Sequence, residues 1–514
     1  MAEARAPFPS PGRTSLAVVC SAVLVMPVTA TGAAEAIAAV GADLRTDLAA
    51  AQWVVNAFFL TFAGLMATTG ALADRVGRRR MFTAGLVVST AAMVLAALAP
   101  TIDVLILARA LAGAGSAAVA TGGSALLAAV FPEGPARARA FAMYGTSLGM
   151  GLAFGPVISG LLVGALGWRG LFGAVAVLSL PSLLGARRLP ESRLTVTHRM
   201  DWGGAVCFTL GLTAFALGVV EGPALGWAHP TVLVGFALCV VLLAVFVVIE
   251  RRHPAPMVDL SLFAQPRFMA LCSMPFVLAF GFVALLIVVP PYLMATLGYN
   301  AHEAGLALLL LTGPTLVLPP ITGVLARRLS QRGLLVVSLL LVAAGTALLA
   351  LVPGGVGPVG LAGPLLLVGS GFGVSLAVLD GAAVSSVDPS RAGMAAGLFN
   401  TVRVAGEVVA IAVLGALLAA LTQSDLASRY GDAAATAATS RLLQGDLPGA
   451  TPAGADPVAF ASAATTAYTG ALHVALWVLA ALSVLGAVLV GRLMIERRAN
   501  TGPDTVPHQR AHTA

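Results

Sequence analysis

Apolar runs long enough to cross a lipid bilayer follow one another along almost the whole chain. A helix needs about 20 apolar residues to cross the hydrocarbon core, and short segments rich in Gly, Pro and Arg separate the runs. The pattern predicts an all-α membrane protein with fourteen spans. Numbered 1 to 14 along the chain, they lie near 14–40, 50–72, 82–99, 103–130, 138–162, 168–186, 203–220, 230–249, 269–294, 303–326, 333–353, 358–384, 393–421 and 468–491.

The composition agrees with a membrane protein. Hydrophobic residues make up 59% of the 514 residues and charged residues only 10%, whereas about a quarter of the residues in soluble proteins are charged. So few charges could not cover the surface of a water-soluble protein of this size, so lipid must be its main solvent. Because no small-residue cleavage site follows a short apolar core, we expect span 1 to be retained.

The arginines predict how the spans are oriented. All 29 basic residues are arginine. With both termini in the cytoplasm, two arginines lie within spans, four lie in outer loops and the other 23 lie on the inner side, as the positive-inside rule requires. We therefore expect a multi-pass plasma-membrane protein. Orientation explains the net charge of +7 better than nucleic-acid binding, because only 6% of the residues are aromatic. The four outer arginines are Arg45, Arg169, Arg429 and Arg441.

Nothing in the sequence points to an enzyme or a metal site. Two glycine strings, 145–149 and 369–373, partly match a nucleophile elbow and a dinucleotide loop, but they lie inside predicted spans with no strand before them. No P-loop is present, so ATP is not expected to drive the protein directly. The four cysteines lie in apolar runs, without the spacing of a metal site or a disulfide framework. They are Cys20, Cys207, Cys239 and Cys272.

An internal repeat divides the chain. Gly70-Ala-Leu-Ala-Asp-Arg recurs as Gly323-Val-Leu-Ala-Arg-Arg, where Arg327 replaces the acid. Each copy follows the second span of a six-span group, if the groups are spans 1–6 and 9–14 and spans 7 and 8 are an inserted pair. Such repeats are typical of secondary transporters. The predicted units are a cytoplasmic tail 1–13, a six-helix bundle 14–190, an inserted pair 200–250, a six-helix bundle 266–495 and a cytoplasmic tail 496–514.

The long outer segment 422–467 is rich in Ala, Thr, Gly and Asp. It could be a disordered connector or a lid. We expect a connector, because little apolar surface is available to fold it.

The loop after span 2 carries a specific motif. Five charges lie in a glycine-rich turn, in the pattern Gly70-x-Leu72-Ala73-Asp74-Arg75-x-Gly77-Arg78-Arg79 followed by Arg80. The pattern closely resembles the loop motif of the major facilitator superfamily, and the span count resembles its fourteen-helix drug:proton antiporters. The resemblance implies a cytoplasmic gating loop formed by Gly70, Asp74, Arg75, Gly77 and Arg78.

Two further motifs extend the resemblance. Arg109 with the following Gly113 and Gly115 is similar to the span 4 motif, with Ala112 where Gln is usual. In span 5, Ser159 replaces one glycine of a motif that the family links to antiport. By itself, its Gly-Pro pair predicts a bend or a close helix approach. The span 5 residues are Gly151, Gly155, Pro156 and Gly160.

The fourteen-helix branch is matched elsewhere with one departure. The segments 52–57 and 400–403 look like that branch, but the acid it carries early in span 1 is absent, and Met26 stands about there. The resemblance implies two six-helix bundles that rock about a central cavity. It also implies a small-molecule substrate, the proton gradient as energy source, no cofactor and function as a monomer.

Asp74 is expected to act as a latch. It can accept hydrogen bonds from Arg75 and Arg78, and it can face the positive N-terminus of span 13 near Gly393 in the other half. Such a contact would hold the halves together on the inner side. The alternative is that the loop arginines serve only orientation, but orientation does not need an acid in the turn.

Charges within the spans are candidates for proton coupling, because they are expensive in lipid. Arg109 and Glu35 lie about 9 Å and about 8 Å from the outer ends of spans 4 and 1, so they could form an ion pair that a proton on Glu35 would break. Alternatively, Glu35 is an ordinary helix-end acid in the headgroup zone.

Glu407 is the leading proton-carrier candidate. It lies about 21 Å into span 13, on the same face as Arg403 four residues earlier. The alternative is a static neutral pair. Asp380, near the inner end of span 12, and His473, in the outer third of span 14, are expected at helix ends close to water.

Together these features predict a proton-coupled exporter of a small apolar or amphipathic compound, such as a drug, an antibiotic or a secondary metabolite. Two alternatives stay open: a symporter for metabolite uptake with the same fold, and a membrane sensor or assembly protein that does not transport. The Asp74 loop and Glu407 favour transport, because a protein that does not transport needs neither.

Overall fold

The computed structural model describes residues 10–46, 48–132, 134–192, 201–253, 260–326, 328–388 and 391–494. The predicted tail 496–514, most of the tail 1–13 and Arg327 lie outside these ranges. The described residues are helical throughout, with short turns between helices and no β-strand among them.

Eighteen α-helices follow one another in the described part of the chain, together with one 3₁₀ helix and one π turn. Several are short pieces of one crossing, and Pro266–Leu297 is one such crossing, in which the π turn Ala279–Val283 joins α8 to α9. The helices are α1 Ser10–Leu44, α2 Leu48–Val76, α3 Arg78–Ala97, α4 Ile102–Val130, α5 Pro135–Ala186, α6 Trp202–Leu225, α7 Pro230–Arg252, α8 Pro266–Leu278, α9 Ala284–Leu297, α10 Ala301–Ala307, α11 Leu309–Thr312, α12 Pro314–Leu325, α13 Gln331–Leu349, α14 Pro358–Ser385, α15 Ala392–Tyr430, α16 Asp432–Leu442, α17 Leu447–Ala450 and α18 Pro457–Leu493.

The predicted number of spans is confirmed once α5 is divided. Within the described residues, 13 helical stretches are long and apolar enough to cross a membrane. The longest, α5, is broken at Gly167, whose φ of 70° and ψ of 177° reverse the chain between predicted spans 5 and 6. Glycine takes this conformation without the steric penalty of a side chain. Fourteen crossings result.

Contacts with the end of α1 fix the Gly167 turn. Trp168 donates from Nε1 to Asp43 Oδ2 at 3.1 Å, and Arg169 pairs with the same carboxylate while stacking on the Trp168 ring. The hydrogen bonds from Arg169 and Trp168 hold the pKa of Asp43 below its usual value. This cluster, in which Trp168 is buried and the ion pair is partly exposed, closes the end of the N-terminal half that lies opposite Asp74.

The crossings form two bundles with an inserted pair. The N-terminal half comprises α1–α5, with its six crossings, and the C-terminal half comprises α8–α18. The pair α6–α7 packs together, and α6 contacts both α2 and α15. The described helices therefore have the predicted architecture of two six-helix bundles and a linker pair.

The two halves meet at the end that carries Asp74. A Cβ built on any of seven glycines there would press on the other half, several of them against its backbone, so the helices cross at nearly backbone distance. Two seams result, one between α2 and α15 and one between α5 and the pair α12 and α14. The seven are Gly70, Gly145, Gly149, Gly323, Gly381, Gly393 and Gly397.

The expectation of a disordered 422–467 segment is wrong. Helix α15 continues to Tyr430, α16 and α17 follow, and α18 begins at Pro457. One face of α16 is buried, and Leu442 belongs to the hydrophobic cluster of the C-terminal half. Alanine-rich helices can form here because their small apolar faces pack on α9 and α15. The segment is a structured cap on the C-terminal half.

Candidate functional site

Asp380 of α14 and Arg403 of α15 form a buried ion pair. Arg403 Nη1 lies 3.3 Å from Asp380 Oδ1, and the side chains are 15% and 5% exposed. The expectation that Asp380 sits close to water is wrong. Arg403 pairs with Asp380, while its predicted neighbour Glu407 lines the same cavity. Arg403 lies deeper in the bundle than Asp380, but its long side chain reaches back along the neighbouring helix.

Glu407 lies one turn beyond Arg403 and faces the same small cavity. Its carboxylate interacts electrostatically with Arg403. No ion pair within 4 Å joins the two in the described part of the chain. The cavity has a volume of about 20 Å³ for water-molecule centres, which is room for one or two waters. Its apolar walls include Leu278, Phe372 and Phe399.

Tyr144 brings the N-terminal half to this cluster. It lies on α5, is fully buried, and interacts electrostatically with Asp380, Arg403 and Cys20. The neighbouring Gly145 packs directly on the Leu376 carbonyl of α14. The charged cluster therefore lies beside the seam between the halves, so a change in its charge alters the electrostatic interactions of both halves.

Asp74 makes the contact that its position predicts. Oδ1 accepts hydrogen bonds from Arg78 Nε and Nη2 at 3.0 and 2.9 Å, and Oδ2 accepts one from the Met394 amide at 2.9 Å. Met394 lies in the first turn of α15, where amide groups lack intrahelical acceptors. Asp74 is 5% exposed, so water competes little for these bonds. Arg75 is half-buried beside it.

Gly70 allows this approach. A Cβ at Gly70 would clash with the Gly393 carbonyl and would lie 2.7 Å from Gly397 Cα. No larger residue could keep α2 and α15 so close. Gly70 and Asp74 are separated by one helical turn, so both face α15.

Glu191 is part of this loop, although sequence reasoning missed it. Gly77 has a φ of 119°, and a Cβ there would lie 2.6 Å from Glu191 Oε1. Glu191 accepts a bond from the Arg79 amide at 3.3 Å and lies 3.6 Å from Arg80 Nε. The sequence did carry a signal for this contact. Glu191 is an acid near the arginines that follow span 6, and the first amides of α3 have no intrahelical acceptor, so an acid can bind them.

Arg137 makes a second polar contact between the halves. Nε and Nη2 donate to the carbonyls of Phe131 and Ala128 at the end of α4, and Nη1 donates to Ser385 Oγ of α14 at 3.1 Å. Sequence analysis treated this arginine only as an orientation signal. Ser385 gave no signal of its own, because serine is common at helix ends.

Arg109 does not pair with Glu35. It is fully buried and donates to the carbonyls of Val54 and Thr29, each at 2.8 Å, with its guanidinium 4.6 Å from the Phe58 ring centroid. Glu35 is exposed. It lies six residues beyond Thr29, about 240° round the helix, so it points elsewhere. The predicted ion pair is wrong, and Arg109 instead ties α4 to α1 and α2.

The span 5 motif packs α5 on α1. A Cβ at Gly151 would lie 2.5 Å from the Leu24 carbonyl and 2.8 Å from Pro27. Gly155 is buried and Pro156 lies within the continuous helix, so the chain reverses at Gly167 and not at Pro156. Gly160 faces open space, with no other atom within 4 Å of a built Cβ. Close approach, and not a helix break, is what this motif provides here.

His473 lies apart from the cluster. It is half-buried on α18, and its Nε2 is 3.0 Å from the Val352 carbonyl, beside a second small cavity of the C-terminal half. As for metals, the described ranges hold no group of three or more His, Cys, Asp or Glu residues able to bind one.

Comparison with known proteins places this arrangement in a family. The Major Facilitator Superfamily profile matches residues 17–411. The chain belongs to the Major Facilitator Superfamily. It is therefore a multi-pass membrane transporter for a small molecule and not an enzyme, and transporters of this superfamily generally need no cofactor.

Several curated superfamily members are similar over most of their length. The multidrug resistance protein Stp of Mycobacterium tuberculosis is 32% identical, over 73% of this chain and 70% of Stp. The cephamycin export protein CmcT of Amycolatopsis lactamdurans is 34% identical, over 82% and 89%. The puromycin resistance protein pur8 of Streptomyces alboniger is 33% identical, over 83% and 86%.

Solved superfamily structures share the fold. The human organic anion transporter MFSD10 superposes with a TM-score of 0.63 at 15% identity, covering 94% of this chain and all of MFSD10. The proton:xylose symporter XylE gives the same TM-score at 12% identity, covering 95% and 96%. At such low identity, the likeness concerns the fold alone.

Proposed function

We propose that this protein exports a small apolar or amphipathic compound, such as a drug, an antibiotic or a secondary metabolite, in exchange for protons. The export and resistance functions named for Stp, CmcT and pur8 support this direction of transport. The arginine distribution supports a plasma-membrane location with both termini in the cytoplasm. The protein works as a monomer, with bundles at 14–190 and 266–495 and the inserted pair at 200–250.

The observation that carries the proposal is the cluster of Asp380, Arg403 and Glu407 around a water-sized cavity. A buried ion pair is stable only while both charges are present. A proton that neutralises Asp380 or Glu407 therefore leaves Arg403 undercompensated. Movement of the halves then exposes the cluster to the opposite side of the membrane. The proton leaves there, and the charge balance of the cluster is restored.

The Asp74 loop supplies the other part of the cycle. With Asp74 bonded to the Met394 amide, the halves are held together on the cytoplasmic side. The gate is shaped or supported by Gly70, Gly77, Arg75 and Arg78. Gly151 keeps α5 packed closely on α1 within the N-terminal half, whereas Gly160 makes no close contact. Opening requires the Asp74 bond to break, and closing restores it.

Proton-driven uptake of puromycin into everted membrane vesicles tests the proposal. We expect wild-type vesicles to accumulate the compound when a proton gradient is imposed. Asp380→Asn and Glu407→Gln should each reduce gradient-driven accumulation to the level of vesicles that lack the protein, because neither amide can take up and release the coupled proton. Exchange of compound down its own gradient should survive, because it does not require the proton.

Asp425→Asn is the matched control, since Asp425 is exposed on α15 and lies after predicted span 13. It should accumulate puromycin as wild type does. Equal accumulation by wild type, Asp380→Asn and Glu407→Gln would refute the coupling residues. Accumulation that survives collapse of the gradient by a protonophore would refute antiport itself.

A further inference from the structure

The inserted helix α6 is attached to α2. Thr68 Oγ1 and Thr209 Oγ1 are 2.9 Å apart, and a Cβ built on Gly64 would lie 2.8 Å from Thr213 Oγ1. Positions 64 and 68 are one helical turn apart, so one face of α2 is committed to α6. The inserted pair therefore belongs mechanically to the N-terminal half.

The same stretch of α2 uses another face to meet α15. A Cβ at Gly397 would lie 2.8 Å from the Met66 carbonyl and 3.0 Å from Ala67 Cα. Helix α6 also packs on α15, and Phe208 joins the hydrophobic cluster of the C-terminal half. The α2–α15 seam is thus covered by α6, and α7 lies outside α6 with Val240 68% exposed.

The opposite seam has no such cover in the described ranges. Gly149 of α5 meets the Thr315 carbonyl of α12, and Gly323 of α12 meets Ala142 of α5. Large apolar side chains on both sides of this seam are exposed, Met143 by 50% and Val317 by 60%. Exposed apolar side chains on membrane helices face lipid. Apart from α11 and α14, which belong to the same half as α12, no described helix packs on both α5 and α12.

We propose that the α5–α12 seam is a lateral window through which the transported compound passes from the cytoplasmic leaflet into the protein, and that α6–α7 closes the corresponding window at α2–α15. This inference rests on the proposed function. When the halves separate at the Asp74 end, both seams widen, but only one then faces lipid. Its rim suits an amphipathic compound. The flexible apolar side chains of Met143 and Met150 face lipid, and the hydroxyl of Thr315 lies inside the seam.

Two alanines give a matched test. Ala67 of α2 and Ala142 of α5 both face a glycine of the C-terminal half, and they are 2% and 3% exposed. Ala67→Cys and Ala142→Cys are made separately in full-length protein whose four native cysteines are replaced by alanine. Each is placed in lipid nanodiscs with and without Asp74→Asn, which opens the gate. Reaction rates are measured with pyrene maleimide, which partitions into lipid, and with a sulfonated, water-soluble maleimide.

Asp74→Asn should raise the rate of Ala142→Cys with pyrene maleimide by about ten-fold, the change expected from losing one charge-assisted hydrogen bond in a two-state equilibrium. Ala67→Cys should gain rate only with the water-soluble reagent. Equal gains of both cysteines with pyrene maleimide would overturn the proposal, and so would a gain at Ala142→Cys confined to the water-soluble reagent.

Ser385→Cys with the water-soluble reagent separates this inference from the gate on which it rests. If Ser385→Cys gains rate in Asp74→Asn while Ala142→Cys does not, the lateral window is wrong and the gate stands. If neither gains rate, both are wrong. If both gain rate and Ala67→Cys stays protected from pyrene maleimide, the window is supported.

Discussion

At the scale of single residues, the Asp380–Arg403 pair has two separable roles. Removing Asp380 leaves Arg403 with only Glu407 to compensate it, and removing Arg403 leaves two buried carboxylates. Losing one partner costs up to about 3–5 kcal/mol, whereas removing both partners costs less. Asp380→Asn and Arg403→Gln should each lower the thermal unfolding temperature of the purified protein. The double variant should recover most of that stability but should not regain proton-driven transport.

Thermal unfolding in detergent, followed by tryptophan fluorescence, measures the loss and recovery of stability. Uptake into vesicles measures proton-driven transport. Asp425→Asn controls for a change of net charge. Recovery of transport in the double variant would show that the pair only supports the fold, which would leave Glu407 alone as the candidate for proton coupling.

Arg109 provides a second residue-scale prediction. Its guanidinium holds the carbonyls of Val54 and Thr29 on two different helices. A lysine has a single ammonium group and cannot match that planar fork. We expect Arg109→Lys to lose about 1.5–3 kcal/mol of stability, the value of one hydrogen bond to a charged group. Arg80→Lys, at an exposed site, should unfold at the wild-type temperature, and an equal temperature for both variants would contradict the proposed bracing role.

At the scale of helices, glycines decide how closely the halves approach. A Cβ at Gly149 would lie 2.6 Å from the Thr315 carbonyl, whereas a Cβ at Gly160 of the same helix meets nothing within 4 Å. Gly149→Ala should destabilise the closed seam by about 1–3 kcal/mol. Gly160→Ala should be neutral or slightly stabilising, because alanine restricts the unfolded chain.

The reaction rate of a cysteine at position 385 measures how far each glycine variant opens the seam. Ser385→Cys should react faster with a water-soluble maleimide in the Gly149→Ala background than in the Gly160→Ala background. The same rate in both backgrounds would mean that the α5 crossing tolerates a methyl group and does not set the distance between the halves.

Helix-scale features also show where sequence reasoning succeeds. The fourteen crossings follow from the length of each apolar run, and the Asp74–Met394 contact follows from the charge of a helix N-terminus, which is local information. The cap formed by α16 does not follow. Its alanines bury a face only because α16 packs on α9 and α15. No sequence pattern within the segment predicts that packing surface.

At the scale of the whole molecule, the ion pair illustrates what sequence reasoning lacks. From the ends of their helices, Asp380 and Arg403 lie at depths of about 8 Å and about 17 Å, so matching by depth does not pair them. Glu35 and Arg109 lie at similar depths, but Glu35 is on a face of α1 that does not point toward Arg109. Which side chains meet depends on helix rotation and on neighbours in three dimensions, and a linear depth does not contain either quantity.

The Asp74 gate is a property of the whole molecule, because the bond from Met394 to Asp74 joins two halves that each pack as a unit. Losing the charge-assisted bond to Met394 should cost the closed form about 1.5–3 kcal/mol, which changes the ratio of closed to open molecules roughly ten- to hundred-fold. Spin labels at Val76 and Leu329, exposed positions on the two halves at this end, report that ratio. In Asp74→Asn, the distance distribution between them should shift to longer values, whereas Asp103→Asn, in the exposed first turn of α4, should leave it unchanged. An unshifted distribution in Asp74→Asn would mean that the glycine crossings alone hold the halves together.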